Sequence, residues 1–91
     1  MEEKIVLDVV NKNAAGIDIG SRSHWVAVGQ TDAEIKEFGV YNENLYQLAD
    51  WLETHNIKSV AMESTGNYWQ NLYAVLLSKG FIFIACDIYS L

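Results

Sequence analysis

Two carboxylates, Asp18 and Glu63, each stand in a short apolar segment of the chain, within residues 14–20 and 57–63 respectively. Segments of this length and composition predict buried β-strands. An acid on an apolar strand is costly to bury unless it is paired, hydrogen-bonded or bound to a metal ion. Because alternate residues of a strand share a face, each acid is accompanied on its own face only by glycine, alanine or serine. Such small neighbours leave room for a ligand.

The chemistry that fits two such acids is binding of a divalent metal ion. Mg²⁺ prefers carboxylate and water oxygens, and a pair of metal ions can stabilise both the attacking and the leaving oxygen of a phosphoryl transfer. Ser21 and Ser64 lie beside the ends of the predicted strands, where hydroxyl and backbone N–H groups can meet a phosphate. From the residues alone, the alternative of two hydrogen-bonded acids at strand ends stays open.

The remaining pattern predicts the elements that would position these acids. Two helices are indicated by apolar faces, one starting near Asn42 or Asn44 with an Asn cap, and one with a buried stripe from Trp69 to Leu76 that ends at Lys79 and Gly80. The hydroxyls of the 64–66 turn are expected to cap the second helix. Strands are predicted at residues 14–19, 24–28, about 34–40, 57–63 and 81–86.

This order, βββαβαβ, predicts an α/β fold with a mixed sheet and helices packed on it. Short links between the first three strands favour an antiparallel meander, and the later strands should be joined by right-handed crossovers. The fourth strand is expected beside the first, which would bring Asp18 and Glu63 together. The continuously apolar segment 81–86 predicts an interior strand covered on both faces, with Cys86 as a small buried hydrophobe.

Length and charge narrow the class of protein. The 91 residues, 51% of them apolar, predict one domain over 1–91 with a core at about 14–87. A formal net charge of −6 argues against a general nucleic-acid binder, which needs a basic surface. No apolar run is long enough to span a membrane and no signal peptide is visible, so a cytoplasmic protein without membrane contact is predicted.

Three motifs carry a specific resemblance, namely residues 16–21 (GIDIGS), 24–28 (HWVAV) and 62–69 (MESTGNYW). They resemble the amino-terminal domain of the DEDD-motif transposases of bacterial insertion sequences, the group that includes the Piv/MooV pilin-gene invertases. The third motif is the most distinctive of the three. The resemblance extends from Ala14 to about Cys86.

The resemblance implies a RuvC-like, RNase H-type fold and metal-dependent cleavage and exchange of DNA strands, with Mg²⁺ or Mn²⁺ as cofactor. It implies that Asp18 and Glu63 are the first two acids of the motif. The other two, an aspartate pair on a helix after the last strand, have no counterpart before Leu91, and Asp87 is not assigned as a ligand. We therefore expect the C-terminal part of the fold to be missing and metal binding to be weak.

The same resemblance implies DNA as the partner of the full-length protein and, in some members, an RNA encoded by the element. For the chain by itself it predicts no cleavage. Loss of the helices that would cover one sheet face predicts a homo-oligomer.

Several other residues are candidates for substrate contact. Arg22 can be a phosphate contact or a solvated turn residue, and His24 is expected to be a surface or satisfied histidine. The Asp18-x-Gly20 turn also occurs in actin-like and sugar-kinase domains, which hold phosphates with it. That class, and a non-catalytic remnant acting as an interaction module, are the alternatives. The candidate substrate contacts are Ser21, Arg22, Ser64, Thr65 and Tyr68.

Overall fold

A computed structural model describes residues 13–29, 34–64 and 66–88 of the chain. Within these residues, strands and helices follow one another in the predicted order βββαβαβ. The elements are β1 (Ala14–Ile19), β2 (His24–Val28), β3 (Glu34–Phe38), α1 (Asn42–Thr54), β4 (Ser59–Ser64), α2 (Gln70–Ser78) and β5 (Ile82–Ile88).

The strands form one sheet in the order β3-β2-β1-β4-β5. β1 pairs antiparallel with β2, and β2 pairs antiparallel with β3, as expected of strands joined by only a few residues. β4 is parallel to both β1 and β5. The crossover to β4 contains α1, and the crossover from β4 to β5 contains α2. The predicted α/β class, the meander and the pairing of the fourth strand with the first are confirmed.

Both helices pack on the same face of the sheet, which we call the covered face. Side chains of alternate strand residues meet the apolar stripes of α1 and α2 there and form one hydrophobic cluster. The cluster includes residues with no measurable exposure from both layers. These are Ile17, Val26, Leu48, Ala49, Leu52, Val60, Leu72 and Leu76.

The turn between β1 and β2 depends on a glycine. The Gly20 N–H donates to the Ser23 carbonyl at 3.1 Å. A Cβ placed on Gly20 would lie 2.7 Å from that same backbone oxygen, closer than carbon and oxygen can approach without a shift of the chain. Gly20 therefore allows β1 to end and β2 to return within a few residues of Asp18.

The helix caps differ from the prediction. Tyr41, not an asparagine, is the N-cap of α1, while the Asn44 side-chain oxygen accepts a hydrogen bond from the Tyr41 N–H at 3.1 Å. Trp69 caps α2 without a side-chain hydrogen bond. The Ser64 hydroxyl does not cap α2, which begins only at Gln70. It accepts a hydrogen bond from the Gly66 N–H instead, at 3.3 Å. The predicted stop of α2 is confirmed, with Lys79 as C-cap and Gly80 at φ +87°.

The prediction of an interior last strand was wrong. β5 is parallel, as predicted, but it is an edge strand of the described sheet. Ile82 is 59% exposed, and Cys86 is exposed rather than buried. A continuous apolar run cannot distinguish coverage on two faces from coverage on one, since the covering elements lie elsewhere in the sequence. No helix within the described ranges is long and apolar enough to cross a membrane.

Candidate metal-binding acids and a neighbouring polar cavity

Asp18 and Glu63 are direct neighbours across β1 and β4. They are register partners in the parallel pair, and neighbouring strands are about 4.8 Å apart. Paired residues project to the same side of a sheet, so both carboxylates lie on the face opposite the helices, which we call the open face. The predicted juxtaposition of the two acids is confirmed.

The two acids belong to a longer row of paired residues across the open face. Trp25 of β2 pairs with Asp18 on one side and with Glu37 of β3 beyond it. On the other side, Asp87 of β5 pairs with Glu63. Asp87 directly follows the predicted last strand, 81–86, and that position is the signal in the sequence that could have linked it to this row.

The position of Asp87 depends on an irregularity in the pairing of β4 with β5. Val60 pairs with Phe83, but the next residue, Ala61, pairs with Ala85, so that Ile84 is passed over. This shift of one residue is a β-bulge, a feature that re-aims the side chains after it. Beyond the shift, Glu63 is brought into register with Asp87.

The surroundings of the acids are small and open. Asp18 is exposed and Glu63 half-buried, while Gly16 and Ala61, the preceding residues on the same face, are buried and carry no bulky side chain. Within the described ranges, no group of three or more His, Cys, Asp or Glu side chains is arranged to hold a metal ion. The arrangement therefore offers two adjacent carboxylates that can share an ion whose other ligands come from water or substrate.

The candidate substrate contacts separate into different environments. Ser21 and Tyr68 line one cavity of about 300 Å³ at the C-terminal ends of β1 and β4. Arg22 is exposed in the turn. Ser64 is 2% exposed and its hydroxyl is used in the turn with Gly66. Thr65 lies outside the described residues.

His24 is buried on the covered face, only 2% exposed. Its Nδ1 accepts a hydrogen bond from the Gly20 N–H at 3.3 Å. Burial lowers the pKa of His24 below its ordinary value, because the charged ring loses contact with water. The ring is thus a satisfied histidine at Nδ1, as predicted, but it is not a surface residue.

His55 lies at the end of α1 and interacts with the helix C-terminus. Its Nδ1 lies 2.9 Å from the Trp51 carbonyl and its Nε2 lies 3.1 Å from a Glu34 carboxylate oxygen. Both contacts favour the protonated ring, the carbonyl bond most, and they raise the pKa of His55. His55 therefore ties α1 to β3 and has no contact with the two acids.

The tryptophans also divide between the two faces. Trp51 and Trp69 are partly buried and pack against the core, as expected of helix residues with an apolar stripe. Trp25 stands on the open face beside Asp18 with 49% of its surface exposed. Trp25 is therefore a surface residue, not a core residue.

Comparison with known proteins yields one family. The family model for DEDD transposases of the IS110 type, described as a transposase, matches residues 15–89. No curated protein matches the chain. The match agrees with the observed sheet, which has the RNase H-like arrangement predicted from the motifs, and it gives no support to the alternative of an actin-like or sugar-kinase domain.

Proposed function

This chain belongs to the IS110-type DEDD transposase family, and on that premise we propose that Asp18 and Glu63 hold a divalent metal ion used in DNA strand cleavage. The observation that supports this function most directly is the register pairing of the two acids on adjacent parallel strands. Strand pairing fixes their spacing through the backbone, without help from a loop. A site on strands holds its ligands more rigidly than a site on loops.

The donor set fits a hard cation such as Mg²⁺ or Mn²⁺. Carboxylate oxygens are the preferred protein ligands of Mg²⁺, which commonly takes one or two of them and completes its shell with water and phosphate oxygens. When bound, such an ion polarises a phosphate and stabilises the charge that develops on its oxygens. Asp18 and Glu63 would anchor the ion, and their small neighbours would leave access for a nucleic-acid strand.

Binding should be weak, because among the described residues no third His, Cys, Asp or Glu side chain is arranged with Asp18 and Glu63 to hold the ion. We propose that the chain alone neither cleaves DNA nor binds a specific DNA sequence, because its net charge of −6 repels phosphates. Recognition of DNA, with or without a guide RNA, would then depend on parts of a transposase beyond these residues. Cleavage and recognition of DNA are consistent with a cytoplasmic protein.

The metal-binding proposal is tested with Mn²⁺, which broadens nearby NMR signals. Backbone signals around residues 16–20 and 61–64 should broaden on titration with Mn²⁺, and Asp18→Asn or Glu63→Gln should abolish the effect. Glu37→Gln is the matched control, since it removes an acid from the same row two strands from Asp18. Broadening that persists in both single variants, or that disappears in the control, would contradict the assignment.

The proposed inactivity has its own assay on supercoiled plasmid. The purified chain should not nick the plasmid in the presence of Mn²⁺. Nicking that depends on Asp18, shown by its loss in Asp18→Asn, would mean that two acids suffice for cleavage and that the weak-site argument is wrong.

We also propose that the open face pairs with a second copy of the chain. Three large apolar side chains, Trp25, Ile35 and Ile82, project there in addition to the small residues. An exposed apolar patch of this kind is characteristic of an interface. Light scattering should show a dimer or larger assembly at micromolar concentration, weakened by Ile35→Ser. Leu77→Ser, a comparably exposed leucine on α2, is the control that should leave the assembly unchanged.

A further inference from the structure

The cavity at the C-terminal ends of β1 and β4 lies on the opposite side of the sheet from the two acids. Its walls come from the turn after β1 with the start of β2, from the start of α1 with the residue Val40 before it, and from the segment that leads into the first turn of α2. Apolar side chains of Val40 and Leu45 form part of the wall, which lowers the local dielectric. The polar lining consists of Ser21, His24, Asn67, Tyr68, Gln70 and Asn71.

His24 is the most deeply buried of these polar residues. Since Nδ1 accepts from the Gly20 N–H, the neutral ring carries its proton on Nε2 and is a donor there. Among the described residues, Nε2 has no hydrogen-bond partner. A buried donor without a partner is costly, so this nitrogen favours a ligand that can accept a hydrogen bond.

The start of α2 adds further donors to the same cavity. No side chain in the described part of the chain caps this helix, and no acidic residue occupies its first turn. The backbone N–H groups of Gln70 and Asn71 have no partner within the described part of the chain. An uncapped helix N-terminus carries a partial positive charge and binds anions through these groups.

The absence of carboxylates from this lining distinguishes it from the rest of the molecule. The chain has 12 Asp and Glu residues, and none of those within residues 13–29, 34–64 and 66–88 lines the cavity. A metal cation would find only neutral amide and hydroxyl oxygens there. An oxyanion would find an imidazole N–H, a hydroxyl, side-chain amides and a helix N-terminus.

We propose that this cavity binds a phosphate group, held by His24, Ser21 and the first turn of α2. The phosphate can belong to the backbone of a nucleic acid or be a terminal monoester, since both present the same oxygens to the donors. Phosphate contacts of this kind fix the position of a strand without reading its sequence. The anion site itself does not depend on the metal-binding function proposed for Asp18 and Glu63.

A phosphate bound in the cavity would lie near the two acids but on the opposite side of the sheet. Ser21 follows Asp18 by three residues and Tyr68 follows Glu63 by five. The cavity and the acid pair thus flank the ends of the same two strands, β1 and β4, from opposite faces. A strand of nucleic acid that crosses this edge of the sheet would have one phosphate at the cavity and another toward the acids.

The test is an NMR titration of the purified chain with inorganic phosphate against sodium chloride of equal ionic strength. Phosphate should shift the backbone signals of Gln70 and Asn71 and the ring signals of His24. Asn71→Asp should weaken binding about tenfold, because it places a negative charge within a few ångströms of the anion. The same change favours the helix N-terminus, so the loss of binding cannot be attributed to unfolding.

Asn42→Asp is the matched control, because Asn42 is the first residue of α1 and does not line the cavity. It should leave phosphate binding unchanged, while Ser21→Ala should weaken it several-fold. The proposal is overturned if phosphate at about 50 mM, far above a millimolar dissociation constant, shifts none of these signals. It is also overturned if Asn71→Asp binds phosphate as well as the original chain does.

Two short DNA oligonucleotides, identical except for a 5′ phosphate, distinguish the source of the phosphate. Shifts with both would assign the backbone diester, and shifts with the phosphorylated strand alone would assign a terminal monoester. Either result supports the site, provided that the shifts disappear in Asn71→Asp. Asp18→Asn should leave the response to inorganic phosphate intact, so failure of the metal proposal and failure of this one are separable.

Discussion

On the covered face of the sheet, Ile17, Val26 and Met62 are buried against the helices, whereas on the open face Asp18 and Trp25 are exposed. The two sets alternate along the same strands, since successive strand residues project to opposite sides. Residues one position apart are therefore under different constraints. Those on the covered face determine the stability of the fold, and those on the open face are available for chemistry or for contact with another molecule.

The largest effect should come from truncating the covered face. Leu48→Ala removes a side chain with no exposed surface and should lower the free energy of unfolding by about 2–5 kcal/mol, through lost burial and the cavity left behind. Urea denaturation followed by circular dichroism measures this change. Ile35→Ala on the open face, where the side chain is 60% exposed, should alter the same quantity by less than about 0.5 kcal/mol. Equal losses of unfolding free energy in Leu48→Ala and Ile35→Ala would contradict the proposed difference between the two faces.

A smaller effect is expected at the turn that leads from one strand to the next. Gly20→Ala forces a methyl group against the Ser23 carbonyl, and the backbone shift should cost about 1–3 kcal/mol of unfolding free energy. Ser21→Ala, one residue further along the exposed turn, is the control and should stay within about 0.5 kcal/mol. If both variants were equally stable, the close approach of Gly20 to Ser23 would not be a constraint on the fold.

The buried histidine of the covered face predicts a dependence of stability on pH. The pKa of His24 is lowered in the folded protein, so as pH falls through about 6.5 the unfolded chain takes up a proton that the folded chain resists. Stability should then fall, by at most about 1.4 kcal/mol per pH unit from this group, and be unaffected by it at higher pH. Denaturation curves across this range measure the slope.

His24→Gln provides the comparison for that measurement, because it removes the titrating group. Its stability should depend less steeply on pH below 6.5 than that of the original chain. The pKa of His55 is raised instead, so its contribution has the opposite sign, being present at low pH and lost as pH rises through the raised pKa. A slope unchanged by His24→Gln would show that the buried ring is protonated as easily as in the unfolded chain.

The smallest change in stability should follow from Asp18→Asn. Asp18 and Glu63 are like charges in register on adjacent strands, so neutralising one should leave the free energy of unfolding within about 0.5 kcal/mol, with any change toward greater stability. Thermal and urea denaturation at low salt provide the test. A loss as large as that of Leu48→Ala would place Asp18 among the residues that hold the fold together.

Much of this architecture is predictable from local pattern. The apolar stripe with Leu48 and Leu52, the stop at Gly80 and the small residues beside Asp18 each depend on a few neighbouring positions, and each prediction was confirmed by the structure. Pairing of Asp18 with Glu63 followed from the order of the elements together with the right-handed crossover rule.

The errors concern properties that no local pattern contains. Whether the last strand is an edge strand depends on which elements cover it, so Cys86 was wrongly expected to be buried. The cap of α1 was assigned to asparagine on propensity, but backbone geometry placed Tyr41 there and used Asn44 from inside the helix. The cavity around His24 could not be predicted either, since three separate stretches of the chain, 21–24, 40–45 and 67–71, contribute to it.

The one-residue shift in β5 has a consequence for how this sheet can change during evolution. In a regular strand continuing from Phe83, Cys86 would stand beside Glu63, and Asp87 would point to the opposite side. The extra residue, Ile84, exchanges the two, placing a carboxylate next to Glu63 and turning the thiol away. Deletion of Ile84 would therefore remove the bulge and keep Asp87 beside Glu63, whereas the same strand paired without the bulge would place Cys86 there, with no substitution in either residue.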